Sequence, residues 1–114
     1  QEANRQAAIF RLRVKLAVEL RTDVQAATPP SGLWKSRCRG GKILVNAEHD
    51  DFPALLAEAI DHVRFHEWDV KQAAVKLGCS TTQLVKLLGK APSSLLRQLP
   101  IALPRFGTRI APET

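Results

Sequence analysis

The run Ala73-Ala74-Val75-Lys76-Leu77-Gly78-Cys79-Ser80-Thr81-Thr82-Gln83-Leu84 constrains the fold of this chain more than any other stretch. Alanines at 73 and 74 let two helices approach closely. Gly78 suits the left-handed conformation in which many helices end. Cys79 fills a small apolar slot, and Ser80 is a favoured helix N-cap. Asp69 caps the helix before the turn, which carries Val70, Ala73, Ala74 and Leu77 inward. The helix after the turn runs from Thr81 to Leu88 with Leu84, Leu87 and Leu88 inward, and Gly89 stops it. Upstream, Phe52, Leu55, Leu56, Ala59, Ile60 and Val63 recur at helical spacing through about His66. Asp50 or Asp51 is the expected cap, and Pro53 lies in the first turn, where its missing N–H costs nothing. Glu58, Asp61 and Arg64 are expected to face water. Three helices in this order make a helix-turn-helix unit over 47–91.

The rest of the chain divides around it. Ala8, Ile9, Leu12, Leu16, Leu20 and Val24 form an apolar stripe of helical period, predicting one amphipathic helix over 2–26 within a segment 1–27. The stripe is the expected core face. Thr28-Pro29-Pro30-Ser31-Gly32 ends that helix and reads as a linker. Trp34, Ser36 and Cys38 alternate with Lys35, Arg37 and Arg39, and Gly40-Gly41 supplies the positive φ of a tight turn. This predicts a β-hairpin over 33–46 with Lys35, Arg37 and Arg39 on one face. Trp34 and Trp68 are expected as core anchors rather than stacking platforms. After Pro92 one or two helical turns are expected, and Pro100, Pro104 and Pro112 mark an extended tail within 92–114. The expected fold class is therefore mainly α: a long basic helix, a small β-hairpin and a three-helix helix-turn-helix unit.

Composition excludes several alternatives. In 114 residues, 45% hydrophobic and 25% charged, usage is that of a globular domain rather than a disordered one. No apolar run approaches a membrane span, and two cysteines cannot build a disulfide scaffold, so a reduced, cytoplasmic setting is the expectation. The chain begins at Gln1, contains no methionine and opens inside a helical pattern, so it reads as an excerpt of a longer polypeptide.

The net charge of +6 is unevenly placed. Residues 1–42 hold nine Lys/Arg against Glu2, Glu19 and Asp23, whereas residues 43–68 hold only Arg64 against six acids. Residues 69–114 return to seven Lys/Arg against Asp69 and Glu113. Two basic blocks flanking an acidic helix point to a polyanion met through particular faces. The candidate contact residues are Arg5, Arg11, Arg13 and Lys15 on the first helix and Lys35, Arg37, Arg39 and Lys42 on the hairpin. Gln83, Lys86 and Lys90 join them from the third helix and its end, where Thr81, Thr82 and Val85 are also expected to be exposed. With only two cations, that helix is weak for independent duplex binding.

Other chemistries have little support. His62 and His66 are spaced i, i+4, as zinc ligands on one helix face can be, but nothing nearby supplies a second pair. Cys38 and Cys79 have no evident base partner, and Gly40-Gly41-Lys42 lacks the first glycine of a phosphate loop and a helix directly after it. No metal, cofactor or catalytic residue is assigned.

Residues 51–90 resemble the Fis-type helix-turn-helix, which implies duplex DNA as a partner. A wider resemblance covers most of the chain. Gln1, Asn4, Arg5, Ala8 and Leu12 fit the Ser-Gln-x-x-Asn-(Arg/Lys)-x-x-Ala-x-x-x-Leu stretch that follows the Gly-Gly-Gln loop of class I peptide-chain release factors. Leu33-Trp34-Lys35-Ser36-Arg37-Cys38-Arg39-Gly40-Gly41-Lys42, His49-Asp50-Asp51-Phe52-Pro53-Ala54-Leu55-Leu56 and the helix-turn-helix resemble the C-terminal extension of bacterial release-factor-like proteins. The resemblance implies ribosomal RNA, the ribosome or tRNA as partner and peptidyl-tRNA ester hydrolysis as the setting. Gly40-Gly41 is followed by Lys42 rather than glutamine, so no catalytic residue carries over. What carries over is helix 4–21, whose Arg5, Arg11, Arg13 and Lys15 would touch RNA or pack on a neighbouring domain. Duplex DNA, or a protein-interaction surface, is the alternative.

Overall fold

A computed structural model describes residues 2–20 and 29–101. The order is α1 (Glu2–Glu19), α2 (Gly32–Arg37), β1 (Cys38–Arg39), β2 (Lys42–Ile43), α3 (Phe52–Phe65), α4 (Val70–Leu77), α5 (Thr81–Gly89) and α6 (Ser93–Leu96). The fold is mainly helical, with a long N-terminal helix, a two-stranded antiparallel hairpin and a three-helix unit. The 21–26 part of the expected first helix, most of the tail and part of the linker lie outside the described residues.

Around the turn, local chemistry decides the structure. The Asp69 carboxylate accepts from the Lys71 and Gln72 amides at the start of α4, and Ser80 Oγ accepts from the Gln83 amide at the start of α5. Gly78 ends α4 at φ +77°. Ala73, Ala74, Leu77, Leu84, Leu87 and Leu88 are buried against Leu55, Leu56, Ile60 and Val63 of α3. α1 packs mainly on α3 and closes the same core.

Three expectations need correction. The first concerns 33–46, where residues 32–37 are helical and only 38–39 pairs with 42–43. Ser31 caps α2, its hydroxyl accepting from the Trp34 amide. Trp34 is fully buried, and its indole Nε1–H donates to the Leu77 carbonyl at 2.8 Å. Inward positions 34, 37 and 38 follow helical spacing, so the two-residue alternation is incidental. The hairpin that remains turns through Gly40 at φ +59° and Gly41 at φ +80°, the pair of positive values a tight two-residue turn needs.

The second concerns the face of α1. Val14, Ala17 and Val18 are its buried residues. Ile9, Leu12, Leu16 and Leu20 are 51%, 53%, 41% and 63% exposed. The smaller residues lie against α3, where they permit close helix approach, and the larger stripe lies on the opposite side.

The third concerns α3 and α5. Asp61 and His62 are buried, Glu58 and Arg64 are half-buried, and Glu58 Oε2 accepts from the Ser31 amide at 2.7 Å. The chain entering α2 crosses that side of α3, which therefore does not face water. In α5, Val85 is buried rather than exposed.

Candidate nucleic-acid interface

Of the eleven expected contact residues, the ten cations separate into two groups. In the first, the side chain is already bonded within the protein, to a carboxylate for the three arginines and to a backbone carbonyl for Lys90. Arg5 pairs with Glu2, which also accepts from Gln6; these contacts, Arg5 foremost, lower the Glu2 pKa. Arg13 binds the Asp50 carboxylate at 2.6 Å and the Asp50 carbonyl at 2.7 Å, strapping α1 to the turn before α3. Arg37 reaches Asp51 at 2.9 Å, the Leu44 carbonyl at 3.2 Å and the His49 ring. Asp51 precedes α3 without a side-chain capping bond, its carboxylate being turned to Arg37. The Lys90 ammonium donates to the Val45 carbonyl. The expectation that Lys35, Arg37 and Arg39 share a strand face therefore fails. Lys35 and Arg37 belong to α2, and Arg37 is turned into the protein by these partners.

The second group is Arg11, Lys15, Lys35, Arg39, Lys42 and Lys86. All six are exposed, and none has an ion-pair partner among the described residues. Their acidic counterparts on 43–68 are largely engaged: Asp50 by Arg13, Asp51 by Arg37, Glu58 by Ser31, with Asp61 buried. Gln83 is half-buried and its amide is held by Ser80.

The fold joins parts that lie far apart in sequence. The Gly41 carbonyl accepts from the Ser80 amide at 3.0 Å, and Cys38 Sγ donates to the Gly78 carbonyl at 3.3 Å. The hairpin turn, between paired Arg39 and Lys42, is thus bonded to Ser80, the residue that caps α5. The hairpin that carries Arg39 and Lys42 is thereby fixed to the start of the third helix. No local pattern signals this contact, because it joins segments about forty residues apart. At the other end of α5, Lys90 meets Arg11 and Lys15 of α1 around an open cavity of about 360 Å³.

Burial shifts two further titratable groups. Loss of solvent holds the His62 pKa below its ordinary value, with Glu58 pulling the other way. Burial, reinforced by nearby Cys38, pushes the Cys79 thiol up to about 11, which makes it a poor nucleophile at neutral pH. Among the described residues no group of three or more His, Cys, Asp or Glu is placed to hold a metal ion, and no helix is long and apolar enough to cross a membrane.

Comparison with protein families, curated proteins and solved structures finds no match to this chain.

Proposed function

We propose that this chain is an RNA-contacting region that works on the ribosome in translation termination or rescue, binding and positioning rather than catalysing. The observation that carries this reading is the set of exposed cations on α1, α2, the hairpin and α5 whose charge no described acid neutralises. Such cations gain binding free energy by releasing counterions from phosphates. The resemblance to release-factor-like proteins supplies the setting, in which peptidyl-tRNA ester hydrolysis belongs to a segment carrying Gly-Gly-Gln. A cytoplasmic location accords with that setting.

A second reading, duplex DNA bound through α5, is favoured by one observation: the hairpin that carries Arg39 and Lys42 is bonded through the Gly41 carbonyl to Ser80, which caps α5. The two readings part over α1. Arg11→Ala with Lys15→Ala, and Gln83→Ala with Lys86→Ala, are compared for binding to ribosomal particles and to a pool of duplex DNA. The ribosomal reading expects tighter binding to the particles and the larger loss from the α1 pair. Tighter binding to DNA, lost with the α5 pair alone, overturns it.

A further inference from the structure

The cavity between α1, the turn before α3 and the end of α5 has an unusual lining. Phe10, Phe52 and Leu95 line its apolar part, and Arg11, Lys15 and Lys90 bring three positive charges to it; no acidic residue contributes. Its volume, about 360 Å³, lies in the range of small-ligand sites. Like charges converging on one cavity repel, and among the described residues no carboxylate lines it to offset them; Arg11 also borders a neighbouring cavity lined by Glu48 and Asp50. Among the described residues, Lys90 alone of the three has a bond to the protein, and that is to a backbone carbonyl, which leaves its charge unneutralised. The cavity is therefore complementary to a group with a flat or apolar body and an attached anion.

Phe10 is placed to receive such a body. The Arg13 guanidinium carbon lies 5.9 Å from the Phe10 ring centroid, and Asp50 holds that guanidinium in turn. Phe10 lines this cavity, while Arg13 lines the neighbouring one that Phe10 also borders. An aromatic wall bordered by cations matches the way proteins take up unstacked bases, the ring receiving the base and the cations its phosphates.

We infer that this cavity takes one unpaired nucleotide of the bound RNA, its base against Phe10 and its phosphates at Arg11, Lys15 and Lys90. The inference rests on the RNA reading above and adds a preference for unpaired bases to it. With so few polar groups inside, the site has little means of reading a base edge, so all four bases are accepted.

The test uses two RNA duplexes that differ by a single bulged nucleotide, measured by fluorescence anisotropy with the whole chain. Base–aromatic stacking predicts roughly tenfold tighter binding of the bulged RNA. Phe10→Leu, which keeps apolar bulk but removes the ring, and Leu95→Trp, which fills the cavity, should each abolish the preference for the bulged RNA. Equal binding of the two RNAs overturns the cavity assignment and leaves the RNA reading standing. A preference that survives both variants also overturns the assignment. Binding of neither RNA overturns both.

Discussion

Replacing Trp34 by phenylalanine tests how α2 is joined to the helix-turn-helix unit. The indole is fully buried and donates to the Leu77 carbonyl, at the last residue of α4, where helix carbonyls lack an internal partner. Phenylalanine leaves that carbonyl without its donor, at a cost of about 1–3 kcal/mol for a buried unsatisfied group. The two ring carbons lost with the indole nitrogen add about 1.5 kcal/mol, at ~0.8 kcal/mol per buried CH₂-sized group. A total near 3 kcal/mol is a large part of the stability of a small domain, and lowers Tm by on the order of 12 °C. Urea unfolding followed by circular dichroism measures it, with Trp68 fluorescence as a second probe. Coincident transitions shifted by this amount are expected, because α2 and α4 share one core. A change below about 1 kcal/mol would refute the reasoning, since it would mean that the bond and the packing around Trp34 contribute little.

Three further outcomes follow from the geometry. Gly78 sits at φ +77° with open space where a Cβ would lie, so Gly78→Val should cost about 1–2 kcal/mol through backbone strain alone; Gly78→Asn should cost less, and equal urea midpoints for all three proteins would disprove the left-handed turn. Burial lowers the His62 pKa in the folded protein, whereas the unfolded chain takes up its proton near the ordinary value of 6.5. Its contribution is therefore fully present above that pH and is lost as pH falls toward the lowered folded value. His62→Leu should flatten the pH dependence of the urea midpoint in that window, and an unaltered profile would contradict the assigned burial. With its pKa at about 11 and its side chain buried, Cys79 should alkylate far more slowly than half-exposed Cys38 at neutral pH; mass spectrometry of the labelled chain reads the order, and faster labelling of Cys79 would be inconsistent with the packed turn.

What the sequence made legible is what neighbouring residues decide. Asp69, Gly78 and Ser80 act on amides and dihedrals within a few residues of themselves, so the turn and both its helices follow from the residues there. The segment around Trp34 behaves otherwise. Its tryptophan is fixed by a bond to a carbonyl 43 residues away, and the local alternation points away from the helix that Ser31 caps. The same holds for α1, whose largest apolar residues suggest the core face while Val14, Ala17 and Val18 occupy it. At the candidate interface the sequence identifies the cations but not their partners. Arg13 and Arg37 look equivalent to Arg11 and Arg39 until Asp50 and Asp51 are placed beside them. Pairing across the fold, rather than residue type, separates a structural arginine from one able to meet phosphate.

That separation gives the most direct measurement. The logarithm of RNA affinity is plotted against the logarithm of salt concentration for the parent chain and two variants, each checked for fold by circular dichroism. One variant replaces Arg11, Lys15, Arg39 and Lys42 by alanine; the other replaces Arg13 and Arg37, whose charges are engaged by Asp50 and Asp51. Removing one cation from its phosphate should reduce the slope by about one unit. The account predicts a slope reduced by about four units in the first variant and nearly unchanged in the second. A first variant with the parental slope, or a second with the larger reduction, would contradict it.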